Sequence, residues 1–340
     1  MRTAYISALS YYLPETVLSN EELNKAFPEW SADKISNKTG IFERRIAYLD
    51  QFVSDLAFEA AERLFSEHNI DRNKIDFILL CTQSPDYFLP TTACILQNRL
   101  KIPTTAGALD FNLGCSGYVY GLSLAKGLIS ANIASHILLI TSETYSKFIN
   151  HRDKSNKTIF GDGASATLIT ADDGLLKIGE FALGTDGSGA ENLIVKNGAI
   201  RHPEYTGTDL IEEGEFLKNN NNLYMNGSEI FNFTAKSVPI LVNDILNKSN
   251  LTLEEIDWFV FHQANQFMLN FIRKKIGIPE NKFFLFLKHC GNTVSSTIPI
   301  ALKEKITSIP FKPNEKILLA GFGVGYSFAS TILYYNDKIS

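Results

Sequence analysis

The sequence predicts a layered α/β sandwich made of two pseudo-equivalent halves, each with a sheet between helix layers. Two observations carry this prediction. First, "NIDRNKIDFILLCTQ" from Asn69 and "NLTLEEIDWFVFHQA" from Asn250 share Asn, an apolar residue, Ile-Asp and an apolar strand, at an offset of 181 residues. Farther on, "ILLITS" from Ile137 and "ILLAGF" from Ile317 recur at an offset of 180, each followed by a glycine-rich turn and another strand. Two matched pairs in one order at nearly one spacing indicate a duplicated unit. Second, strand-length apolar runs alternate with helix-length amphipathic ones, the pattern of buried strands under helix layers. The halves are expected at 1–175 and 176–340.

The elements follow in chain order. "MRTAYISALSYYLPE" reads as a strand and turn rather than a basic end leading into an apolar stretch. "SDLAFEAAERLFSEH" places Leu56, Ala60 and Leu64 beside Ala57, Ala61 and Phe65, a helix with Ser54 as its expected cap. "IDFILLC" is apolar almost throughout, as in a sheet covered on both faces. "CSGYVYGLSLAKGLISA" is a mostly apolar helix and belongs at the centre. The segment 185–226, rich in Gly and Asn, reads as a loop-rich connection. Beyond it, helices at "SEIFNFTAKSVPILVNDIL", "NQFMLNFIRKKIG" and "TVSSTIPIALKEKI" surround the strands "IDWFVF" and "KILLAG".

Composition narrows the function. The 340 residues are 45% hydrophobic and 20% charged, with a net charge of −5. That balance argues against nucleic-acid or anionic-membrane binding. No apolar run approaches the roughly 20 residues of a membrane span. Cys81, Cys94, Cys115 and Cys290 form no CxxC pair and read as reduced thiols of a cytoplasmic protein. The six histidines show no metal-ligand spacing, so no metal is expected.

The chemistry concentrates at three loop ends. Cys115 stands between Gly114 and Gly117 at the head of the central helix, a setting that would let a substrate approach a nucleophile. There the positive end of the peptide dipoles, worth up to about 2 kcal/mol, would lower the thiol pKa towards neutrality. His262 closes a core strand, where α/β proteins usually place ligand sites. Asn292 precedes the helix of the second half that matches the Cys115 helix; capping that helix is its commoner role. "GFGVG" at 321–325 precedes a strand rather than a helix, so the dinucleotide fingerprint fails.

Taken jointly and in order, "GCSGYVYGL", "HQAN", "GNT" and "GFGVGYSFAS" resemble the beta-ketoacyl-acyl-carrier-protein synthase III family of thiolase-like condensing enzymes. The likeness runs from "YLPE" at 12 and "KTGIFERR" at 38 to the C-terminal strands. The resemblance implies a five-layered α-β-α-β-α thiolase fold, usually homodimeric. It implies an acyl group on Cys115, decarboxylation of a malonyl thioester beside His262 and Asn292, and an oxyanion hole from the backbone N–H groups of Cys115 and Val324. Substrates would be acyl-CoA or acyl carrier protein thioesters and malonyl-acyl carrier protein, with no bound cofactor. By the same likeness, Leu89 closes the acyl pocket of a partner subunit and Phe322 lines it. Lys38, Ala264, Asn265, Arg273, Lys274 and Lys275 would bind pantetheine, coenzyme A or the carrier protein.

Several positions depart from the family pattern. Val324 replaces the middle glycine of a triple-glycine turn, Lys34 replaces an adenine-stacking tryptophan with Trp30 nearby, and Phe267 replaces a carrier-docking arginine. Two alternatives share the expected fold: a non-elongating acyltransferase and a catalytically silent partner subunit.

Overall fold

The computed structural model describes residues 2–212 and 215–336. Nine strands form one mixed sheet: β1 (Ala4–Tyr12), β2 (Phe77–Cys81), β3 (Gly107–Phe111), β4 (His136–Glu143), β5 (Gly163–Ala171), β6 (Leu176–Thr185), β7 (Trp258–Phe261), β8 (Lys316–Gly323) and β9 (Ser327–Tyr335). Their order is β7-β8-β9-β6-β1-β5-β4-β2-β3. Strand β2 pairs parallel with β3 and β4, and β7 pairs parallel with β8. The other neighbours are antiparallel.

A short seam divides the sheet: β1 and β6 share only the pairs Tyr5↔Lys177 and Ile6↔Leu176. On one side the order is β3-β2-β4-β5-β1, and on the other β7-β8-β9-β6. Beside β7, a lone parallel bridge between Phe259 and Phe283 stands where a fifth strand would lie.

Six helices clothe this sheet: α1 (Val53–His68), α2 (Thr92–Arg99), α3 (Gly117–Ser130), α4 (Gly227–Ser249), α5 (Gln266–Ile276) and α6 (Thr297–Ser308). Side-chain alternation along the strands shows the layering. In β4, Ile137 and Leu139 pack with Val119 and Leu122 of α3 and Ala301 of α6. Leu138 and Ile140 face the other way, onto Leu56 and Ala60 of α1. In β8, Ile317 and Leu319 join the α3–α6 core, whereas Leu318 and Ala320 pack under Val242 of α4 and Leu269 of α5. Helices α3 and α6 are thus sandwiched between two sub-sheets, with α1–α2 and α4–α5 outside. These are the five layers expected. The central strands β2, β4 and β8 are buried on both faces, which is why they read as unbroken apolar runs.

Two local expectations change. Helix α1 starts at Val53, and the Asp55 carboxylate accepts the Phe52 backbone N–H at 2.8 Å. Ser54 is buried inside the first turn and is not the cap. The 185–226 connection is not wholly irregular: Leu193–Ile194 and Tyr224–Met225 pair as a two-stranded ribbon, which becomes a wall of the site. Among the described residues, no helix is long and apolar enough to cross a membrane.

Candidate active site

Cys115, His262 and Asn292 line one cavity of about 150 Å³, with Phe322 and Gly323. Each arrives from a different junction: Cys115 from the turn between β3 and α3, His262 from the end of β7, and Asn292 from the turn before α6. Strands β2 and β7 occupy corresponding places, and Cys81 ends the one as His262 follows the other.

The nucleophile site is built by close approach. A Cβ on Gly323 would lie 2.8 Å from Cys115 Sγ, so only glycine leaves room for the thiol. The glycines beside Cys115 have a different reason from the one expected. A Cβ on Gly117 would fall 2.2 Å from Cys81 Sγ, and one on Gly114 would meet Val324 Cγ1 at 2.7 Å. They admit neighbouring side chains rather than substrate. The same contact accounts for Val324, whose side chain packs on Gly114. The backbone N–H groups of Cys115 and Val324 lie on the side of the thiol and favour its charged form. Cys81 donates its S–H to the Leu113 carbonyl at 2.9 Å, a structural role.

The electrostatics correct the expectation of a thiol near neutrality. Burial, then the nearby Glu143 carboxyl, push Cys115 up to about 12 against the pull of the two N–H groups. Desolvation outweighs the helix terminus here because Cys115 is almost wholly enclosed. Glu143 is itself buried and pushed up to about 8 by desolvation, although Gln83 N–H, Ser84 Oγ and Ser295 Oγ all donate to it. Burial likewise lowers His262 to about 3, so its imidazole is neutral. The ring stands edge-on to Phe322, 5.8 Å between centroids.

Asn292 does not cap the helix that follows: α6 is preceded by Ser296 and has no side-chain cap. The Asn292 Oδ1 accepts the Val294 N–H at 2.9 Å, at the entry to the short 3-10 turn Val294–Ser296. That bond fixes the amide plane and leaves Nδ2 for the cavity. Val294 pays with φ of +55°, a costly conformation for a β-branched residue and one typical of functional turns. Asn292 also exchanges backbone hydrogen bonds with Ile159 and Gly161, which tie it to the adjoining loop.

The remaining expected residues divide. Ala264 and Asn265 reach the cavity rim, where Asn265 Oδ1 also caps α5 through the Met268 N–H at 2.9 Å. Leu89 does not line this chain's own cavity; it is 83% exposed beside Phe88 at 77%. Arg273 is a correction: it is 8% exposed, bonded to the Ile278 carbonyl and paired with Glu280 at 3.1 Å. Only Lys274 and Lys275 of that basic run face outward, because Arg273 sits on the buried side of α5. Lys38, Lys34 and Lys154 place their ammonium groups 5.0, 5.4 and 5.8 Å from the Trp30 ring centre. Phe267 is exposed and stacks on Phe231, with ring centres 6.1 Å apart. Sequence reasoning missed Tyr145, Phe160, Leu193 and Met225 as cavity walls. No group of three potential metal-ligating side chains occurs among the described residues.

A buried thiol under two backbone donors, facing a neutral histidine and an asparagine amide in a five-layered α/β sandwich, defines a thiolase-like condensing enzyme. Sequence comparison agrees. Residues 109–187 match the 3-oxoacyl-[acyl-carrier-protein] synthase III domain, and residues 246–335 match its C-terminal domain. The chain is 36% identical to beta-ketoacyl-[acyl-carrier-protein] synthase III of Clostridium perfringens, over 98% of this chain and 99% of that one. It is 37% identical to beta-ketoacyl-[acyl-carrier-protein] synthase III 2 of Halalkalibacterium halodurans, over 97% and 96%. A crystal structure of a 3-oxoacyl-(acyl-carrier-protein) synthase III superposes with a TM-score of 0.95 at 49% identity, covering 98% of this chain and all of that one. The chain belongs to the beta-ketoacyl-acyl-carrier-protein synthase III family.

Proposed function

We propose that the protein takes an acyl group from acyl-CoA or an acyl carrier protein onto Cys115, then condenses it with malonyl-acyl carrier protein. In the first half-reaction the Cys115 sulfur displaces the donor thiol, and the proton lost by Cys115 ends on that released thiol. The tetrahedral oxyanion would be held by the N–H groups of Cys115 and Val324. In the second, the malonyl thioester loses CO2 and its enolate oxygen accepts from His262 and Asn292. The carbanion attacks the Cys115 thioester carbonyl, and the cysteine departs as thiolate and takes a proton from solvent to regenerate the thiol. Decarboxylation generates the carbanion, so no general base is needed for that step. The observation that carries this reading is the convergence of Cys115, His262 and Asn292 on one cavity.

Lys34 and Lys38 beside Trp30 supply cations for the phosphates of coenzyme A or of the carrier's phosphopantetheine, on a helix (Ala32–Thr39) that packs against α5. Lys274 and Lys275 are then the carrier-facing charges. A homodimer fits the exposed Tyr87, Phe88 and Leu89 and the unpaired outer edge of β3, features that monomers seldom leave uncovered. We place the boundary between the halves at 175/176, in the turn between β5 and β6, and the setting in the cytoplasm.

The test is Asn292→Ala, followed by 14CO2 release from malonyl thioester and by acyl-enzyme formation. Decarboxylation should fall about 100-fold or more, as when an oxyanion donor is removed. Acylation should fall far less. Equal losses in both would make Asn292 a purely structural residue.

A further inference from the structure

His262 is held at one ring nitrogen only. Nδ1 lies 2.7 Å from Thr297 Oγ1, and among the described residues Nε2 has no hydrogen-bond partner. Thr297 is buried, and its hydroxyl is also placed to donate to the Val294 carbonyl at 3.0 Å, in competition with Nδ1. That carbonyl already accepts the Thr297 backbone N–H. Since the buried imidazole is neutral, one ring nitrogen carries the single proton. A carbonyl or carboxylate at Nδ1 would force the proton there and leave Nε2 an acceptor. A hydroxyl imposes no such choice, because it can donate as well as accept.

We infer that Thr297 sets the tautomer of His262: its hydroxyl donates to Nδ1 and leaves the ring proton on Nε2, facing the cavity beside Asn292. Three features support this direction. The contact to Nδ1 is shorter than the contact to the Val294 carbonyl. The carbonyl has a donor without the hydroxyl, whereas Nδ1 has none. The opposite tautomer would point a lone pair at the place where negative charge is to be stabilised. Thr297 is thus a positioning residue acting through His262, five residues beyond Asn292 at the start of α6. One short stretch, "NTVSST", then orients both donors. The inference deepens the condensing reading and rests on it for its purpose and for the third of these features.

The experiment is 15N NMR of the histidine rings in the wild-type protein, Thr297→Val and Thr297→Ser, with His262→Gln used only to assign the His262 signals. Between about pH 6 and pH 8, the wild type should show the proton on Nε2 and a bare Nδ1. Thr297→Ser should show the same, and Thr297→Val should lose that single tautomer. Malonyl decarboxylation should fall about tenfold to 100-fold in Thr297→Val and recover in Thr297→Ser. Cys115 acylation should stay within about threefold in both. A proton on Nδ1 in the wild type, or parental decarboxylation by Thr297→Val, overturns the inference. A wild type that does not decarboxylate malonyl thioesters sinks the condensing reading alone, and the NMR tautomer still upholds or overturns this one.

Discussion

Gly323→Ala probes the nucleophile site with one carbon. Gly323 closes β8, paired with Ser327 of β9, and its φ is not in the left-handed region, so alanine meets no backbone obstacle. The cost is steric. The new methyl would lie 2.8 Å from Cys115 Sγ and 2.9 Å from its Cβ, well inside ordinary van der Waals contact. Cys115 is enclosed, so the thiol must rotate off the Cys115 and Val324 N–H groups or the hairpin must shift. Overpacking of this kind costs about 1–3 kcal/mol of stability. Losing alignment with even one oxyanion donor costs about 100-fold or more in rate. Rapid-quench mass spectrometry of acyl-enzyme formation reads the second effect, and thermal unfolding reads the first. Gly323→Ala should therefore remain folded with a modestly lower Tm and acylate at least about 100-fold more slowly. Near-parental acylation in a folded variant would show that the thiol reacts from a position the Gly323 contact does not constrain.

Gly127→Ala is the contrasting case: its Cβ would meet nothing within 4 Å on the exposed side of α3, so calorimetry should show a gain of about 0.5–1 kcal/mol, and a loss would mean the helix surface is covered. Leu89→Trp should shift kcat/KM for acylation towards shorter donors without harming acetyl transfer, each methylene lost from the pocket weighing about 0.8 kcal/mol. An unchanged chain-length profile would place the pocket floor elsewhere than on a partner's Leu89. A fourth prediction concerns pH. Glu143 is raised from 4.5 to about 8 by burial, so the folded state retains a proton that the unfolded state has released across that window. Stability should therefore fall as pH rises from about 4.5 to 8, and Glu143→Gln should flatten that fall in Tm against pH. Parallel curves for the two proteins would contradict the buried, protonated carboxyl.

Most of the fold was legible because layering leaves a one-dimensional trace. Strands covered on both faces, such as Leu79 between Ile78 and Leu80, cannot alternate with polar residues, and duplication repeats that trace at a fixed offset. The three chemical residues were legible from their places at strand ends and helix starts. What the sequence hid depends on contacts between distant segments. The Cys115 thiol is raised by enclosure, which no local pattern reports. Gly117 answers to Cys81, 36 positions away in sequence. Arg273 looks like part of a basic surface run until the packing of α5 turns it inward to Glu280. Leu193 and Met225 come from a segment with no periodicity, and only their pairing makes them a cavity wall. Glu143 reads as an ordinary polar strand end, and Thr297 as a helix-start residue.

The central claim is that Cys115 carries the acyl group for condensation. Its most direct test is intact-protein mass spectrometry with peptide mapping, after exposure of the wild type and Cys115→Ser to a panel of acyl-CoA and acyl carrier protein thioesters. The account predicts a single acyl adduct on the wild type, mapping to Cys115, discharged by malonyl-acyl carrier protein with release of the β-ketoacyl product, and no adduct on Cys115→Ser. An adduct on Cys81, Cys94 or Cys290, or undiminished acylation of Cys115→Ser, would contradict it.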